Sequence, residues 1–122
     1  MNFSLLEICA VVKASSTMIL ANGNVEQSEV EALYNELKNF GLENISDDIL
    51  EYADVMAPSD MVEILSNMSD EKKKYVAGFL AVIMIADDEI DDEEVKSWQI
   101  LCSKAQFPVM NLREAINYWH EH

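Results

Sequence analysis

Residues 21–30 and 86–95 align without a gap at an offset of 65 residues, ANGNVEQSEV against ADDEIDDEEV. The correspondence extends backwards, pairing Met18 with Ile83 and Leu20 with Ile85. It extends forwards too, pairing Leu33 with Trp98 and Leu37 with Cys102. Each copy reads as an apolar helix, a tight polar turn and a second helix. Two such helix-turn-helix units can pack against each other about a pseudo-twofold axis, each burying its apolar stripe. One β-branched residue, Val25 or Ile90, stands among the polar groups of each turn. It is expected to plug into the core and leave the polar groups beside it facing outward.

The rest of the chain also reads as helix. Only three glycines and two prolines punctuate 122 residues, too few for many hairpin turns, and apolar–polar alternation of the strand type is scarce. Ser4 and Glu7 have capping-box spacing and open a first helix with Leu5, Ile8, Cys9, Val12, Ser16 and Ile19 on its stripe. Gly23 breaks it, and a second helix is predicted over 26–40, with Val30, Leu33, Leu37 and Phe40 on one face and Gly41 ending it. Ser46, Asp47 and Asp48 open a third, which carries Ile49, Leu50, Ala53 and Met56. Pro58 and Ser59 separate it from a fourth with Met61, Ile64, Leu65 and Met68.

Ser69 caps a long fifth helix with Asp70 and Glu71 in its first turn, where the helix dipole favours acids. Lys72, Lys73 and Lys74 read as a solvated face. After Tyr75 this helix is apolar on every side and belongs in the middle of the fold. Asp91 and Glu94 have capping spacing for a sixth helix with Val95, Trp98, Leu101, Cys102 and Ala105. Pro108 stops it, and Asn111 with Glu114 opens a seventh that carries Leu112, Ala115, Ile116 and Trp119. The expected fold is all-α: one domain over 1–122, about seven helices, with pseudo-repeats at about 5–41 and 70–106.

The repeated junction resembles that of the TerB-like (tellurite-resistance) family, whose signature is roughly Ala-Asp-Gly-x-Ile/Val-x-x-x-Glu at a helix-turn-helix. The second copy matches through Ala86, Asp87, Ile90 and Glu94, with Asp88 in place of the glycine. The first matches through Ala21, Gly23, Val25 and Glu29, with Asn22 in place of the aspartate. The resemblance covers about residues 5–105. It implies an all-helical fold, a link to bacterial stress responses including tellurite resistance, and an acidic metal site. The loss of the aspartate at Asn22 counts against equal metal binding by the two copies.

Seven of the eight residues in 87–94 are acids, Ile90 being the exception. Such crowding of like charge costs stability unless cations or solvent screen it. Oxygen ligands at a turn and helix N-terminus suit a hard divalent cation, Ca²⁺ or Mg²⁺. Asp87, Asp91 and Glu94 are the candidate metal ligands, because their spacing brings them to one side, and Asn22 and Glu29 join them if the two turns meet. The competing reading makes Asp91 the helix cap, Glu94 its capping-box partner and the other acids ligands of the helix dipole alone. The loop lacks EF-hand spacing.

A net charge of -15 repels nucleic acid and anionic lipid, so direct nucleic-acid binding is not expected. It suits metal cations, basic protein surfaces, or a protein that otherwise holds nucleic acid. His120 and His122 lie at the C-terminus, far in sequence from Cys9 and Cys102. No Ser/His/Asp set, Cys/His set or glycine-rich phosphate loop can be assembled, so no enzyme is expected. The most apolar run, 76–86, is too short for the about 20 residues of a membrane span. Together with two cysteines in apolar helical stretches and no basic leader, this predicts a cytoplasmic protein with no disulfide framework. The functional expectation is a non-enzymatic TerB-like module that binds a divalent cation or docks a protein at its acidic turns. The alternative is an acidic nucleic-acid mimic or inhibitor that occupies a basic protein; nine acids and no Lys or Arg over 43–71 favour it.

Overall fold

The computed structural model describes residues 3–19, 33, 35, 47–85 and 92–121. Among these there are six helices and no strand: α1 (Leu5–Ile19), α2 (Asp47–Val55), α3 (Pro58–Ser66), α4 (Asp70–Met84), α5 (Asp92–Lys104) and α6 (Leu112–Glu121). The protein is therefore all-α, a single small domain. Leu33 and Asn35 are helical as well. The rest of the helix predicted over 26–40, and both polar turns, lie outside the described residues.

Two fifteen-residue helices, α1 and α4, form the centre. Each opens on a serine whose hydroxyl accepts a first-turn backbone N–H, Ser4 from Glu7 at 3.1 Å and Ser69 from Lys72 at 3.3 Å. These side chains satisfy donors that the helix itself leaves without partners. At Ser4 the exchange is reciprocal, because Glu7 Oε1 accepts the Ser4 N–H at 2.8 Å. α2 and α3 pack on α1, and α6 packs on α4. Pro58 is the first residue of α3, where its missing N–H costs nothing, so the break expected at Pro58 falls just before it.

The core runs through Val11, Ala14, Met18, Leu65, Val76, Phe79, Leu80 and Ile83, with Trp98 and Ala115 closing it from α5 and α6. α4 is buried nearly all round, as its apolar composition predicted. Most of the chain's methionines fill core gaps: Met18, Met61, Met68 and Met84 are buried. The close crossing of α4 and α6 depends on Gly78. A Cβ there would overlap the Ala115 carbonyl oxygen and lie 2.5 Å from Trp119 Cβ.

The lysines at the start of α4 depart from expectation. Lys72 pairs with Glu7 at 3.0 Å, and Lys73 is buried, its ammonium donating to the Gln106 carbonyl at 3.2 Å. Lys74 lies 5.7 Å above the Tyr118 ring. Long aliphatic stems let these side chains cover apolar surface while the charge reaches a partner, so they are not a plain solvated face. The carbonyl that receives Lys73 is set by the end of α5. Gln106 takes φ 57°, Phe107 N–H donates back to the Cys102 carbonyl and Gln106 N–H to that of Ser103. This is a Schellman stop, and Pro108 follows it.

Candidate functional site

Of the five candidate ligands, Glu94 is the one among the described residues. Asn22, Glu29, Asp87 and Asp91 lie outside them, so no distance between any two of the five is defined. Glu94 stands in the first turn of α5 with Asp92 and Glu93. Asp92 and Glu93 are exposed, and Glu93 meets Lys96 at 3.9 Å across an open surface. Such an exposed pair contributes little.

Glu94 differs sharply from these neighbours, with 3% of its surface accessible and Oε2 sealed from solvent. The reason is helical geometry. Glu94, Trp98, Leu101 and Ala105 are all buried and share one face of α5 and its terminus, three to four residues apart. Trp98 holds that face against α4, its indole N–H donating to the Ala77 carbonyl at 3.0 Å. Pinned one turn further on, the helix carries Glu94 inward. The polar groups next to Ile90, expected to face outward, lie outside the described residues. The stripe was visible in the sequence, because Glu94 heads the same series as Trp98 and Leu101.

Burying a carboxylate costs several kcal/mol, on the order of a lost ion pair, unless dipoles, hydrogen bonds or a cation compensate it. The helix N-terminus supplies part of that compensation. Among the described residues, no group of three or more His, Cys, Asp or Glu side chains stands close enough to hold a metal.

The thiols are poorly suited to nucleophilic chemistry. Burial pushes Cys9 above its ordinary range and Cys102 up to about 12, which keeps both protonated at neutral pH. Both are free. His120 stacks edge-on against Trp119, with ring centroids 4.9 Å apart. Among the described residues, no helix is long and apolar enough to cross a membrane.

A second feature escaped the sequence reading. Leu5, expected on the buried stripe of α1, is 65% exposed, and Leu6, Tyr52 and Val55 are exposed beside the acids of α2 and α3. Leu6, Tyr52 and Val55 fall off the helical stripes that mark the core, and that was the available signal.

The fold and the buried acid at the head of α5 define a small, acidic, all-helical domain. The chain matches the crystal structure of PG1108, a protein of unknown function from Porphyromonas gingivalis W83, with a TM-score of 0.86 and 35% identity over 98% of each chain. At that identity and coverage it belongs to the same family as that protein. No protein-family model matches the chain, and no curated protein matches it.

Proposed function

We propose that the chain is a non-enzymatic TerB-like module of the bacterial stress-response, tellurite-resistance type. It acts at its acidic turns by taking up a divalent cation, with Asp87, Asp91 and Glu94 as ligands and Asn22 and Glu29 contributing from the first turn. The observation that carries this reading is the burial of Glu94 beside the exposed Asp92 and Glu93. A carboxylate turned inward at the head of a segment with seven acids in eight residues is suited to complete a site, and a hard cation would offset its desolvation.

The seven-helix, two-repeat architecture belongs to the same proposal. Its support is a set of correspondences at the 65-residue offset. α1 and α4 have the same length, Ser4 and Ser69 cap them alike, and Leu33 and Trp98 are both buried. Glu7 and Lys72, equivalent positions at that offset, touch each other, as residues beside a twofold axis do. The raised thiols count against thiolate chemistry at Cys9 and Cys102.

Calorimetric titration of chelator-stripped protein with Ca²⁺, Mg²⁺ and Mn²⁺ tests the cation. Saturable binding should be lost in Asp87→Asn and in Glu94→Gln. Weak, salt-sensitive heat that is equal in all three proteins sinks the site. Asp87→Asn keeps the test valid if Glu94→Gln fails to fold.

The nucleic-acid-mimic reading draws on one observation: Asp48, Glu51 and Asp54 are all exposed at three-residue spacing along α2. Competition with a DNA fragment for a DNA-binding protein distinguishes it, since a cation module competes for none.

A further inference from the structure

α2 and α3 carry no basic residue, and the stretch 43–71 around them has nine acids without a lysine or arginine. Yet the outer face they form with the start of α1 is not uniformly polar. Leu5, Leu6, Tyr52 and Val55 are exposed by 65, 55, 67 and 79%. Tyr52 and Val55 are one helical turn apart on α2, and Leu6 and Tyr52 line two adjoining depressions of about 450 and 380 Å³. Because those two residues border both, the depressions lie side by side along one grooved face. Cys9 and Ile49 lie in its floor at one end, Met56 and Ile64 at the other.

The rim is acidic at both ends, with Asp48 beside the first depression and Asp60 and Glu63 beside the second. No lysine or arginine lines either. A contiguous apolar strip rimmed by polar groups marks an interaction surface, whereas scattered exposed leucines do not. Its shape suits a helix laid in a groove, and its charge selects the helix.

We propose that this groove docks an amphipathic basic helix of a partner protein, apolar side chains against Leu6, Tyr52 and Val55 and Lys or Arg against Asp48, Asp60 and Glu63. A second copy of the chain is a poor occupant. Two copies would bring acid rim to acid rim between molecules that each carry -15. A phosphate-mimicking surface has no use for the apolar centre. The groove lies on α1, α2 and α3, so this inference stands apart from the cation site at the head of α5.

The test uses a dye-labelled Leu/Lys peptide of about 18 residues, about five helical turns, with leucine on one face. A scrambled peptide of the same composition and a Leu/Glu version serve as controls. Fluorescence anisotropy should show saturable one-to-one binding of the amphipathic basic peptide alone. Val55→Ser and Leu6→Ser should each weaken it by about tenfold, the usual effect of removing an apolar anchor, while Ile100→Ser, an exposed site on α5, leaves it unchanged. These positions are exposed, so the variants should fold, and thermal melts check that. Equal binding of the scrambled peptide, indifference to Val55→Ser, or absence of saturable binding overturns the proposal. So does a dimer in sedimentation that Val55→Ser dissolves, which would make a second copy the occupant.

Discussion

α1 and α4 are alike in length, serine cap and depth of burial: Val11 and Val76 are inaccessible, and Met18 and Ile83 nearly so. They differ in how they are roofed. At position 78, α4 has a glycine, and the α6 backbone settles directly onto it at Ala115. At the equivalent place on α1 stands Lys13, whose ammonium reaches the Asp54 carbonyl at the end of α2, 3.2 Å away. One roof is backbone against backbone; the other is held off by a long side chain. The closed roof half-covers Leu112, Ile116, Tyr118 and Trp119, and Trp119 meets Tyr75 at a ring separation of 6.5 Å. The open one leaves Leu5, Leu6, Tyr52 and Val55 uncovered. At the 65-residue offset the matching positions on α4 and α6, Asp70, Glu71, Asn117 and His120, are exposed too but polar, so the two sides differ both in how closely the packing helix approaches and in what the outer face presents.

The most severe way to break this comparison is Gly78→Ala. Alanine favours the helix by about 1 kcal/mol. Overpacking against a backbone oxygen, which cannot swing away, costs about 1–3 kcal/mol and sometimes more. We expect a net loss of stability in urea unfolding and looser α6 packing, seen as exposure of Trp119 to fluorescence quenchers. Lys13→Ala should shift stability by less than about 1 kcal/mol, the scale of one partly exposed hydrogen bond. A Gly78→Ala protein as stable as the parent would mean that α6 lifts freely and that the two roofs are not different in kind.

Much of the fold was legible because its local chemistry is short-range. Ser4 with Glu7 and Asn111 with Glu114 announced helix starts at three-residue spacing, and both pairs make those bonds. The apolar stretch after Tyr75 announced a central helix. What was illegible depends on tertiary placement. A lysine run looks solvated whether its stems lie over water or over a core, so the burial of Lys73 and its bond to Gln106 could not be read. Glu94 was singled out as a ligand from the density of acids, but its inward direction comes from the anchoring of Trp98 on Ala77. Leu5 fitted the helical stripe of α1 and is nonetheless exposed, because nothing among the described residues roofs that end. Asn22, Glu29, Asp87 and Asp91 lie outside the described residues, and the proposal for them rests on the chemistry of their sequence.

The serine caps sharpen the comparison at a smaller scale. Removing an N-cap hydroxyl costs about 1 kcal/mol. Ser4→Ala should cost slightly more than Ser69→Ala, because the hydroxyl bond it removes is the shorter, 3.1 Å against 3.3 Å, while the Ser4 backbone N–H keeps its bond to Glu7. Amide hydrogen exchange at the first turns of α1 and α4 reads the two losses separately. Equal protection losses would show that the difference in length between the two hydroxyl bonds has no energetic weight.

The smallest effect tests where the two helices touch. Burial pushes the Glu7 carboxyl up, but the Ser4 N–H and the Lys72 ammonium outweigh it and hold the group below its ordinary 4.5. In the pH range just under 4.5 the unfolded chain therefore binds more protons at this site than the folded one, so stability falls as the solution is acidified. The contribution is present above 4.5 and is lost as pH drops through the lowered value. For a partly exposed pair it should not exceed about 1 kcal/mol, and salt should weaken it. Urea midpoints of the parent and Glu7→Gln, taken from neutral pH down to about 3 where carboxylates are protonated, should differ at neutral pH and converge in acid. Should the difference instead persist undiminished in acid, it would come from packing and from the bond to the Ser4 N–H inside α1, with no share for the Lys72 charge.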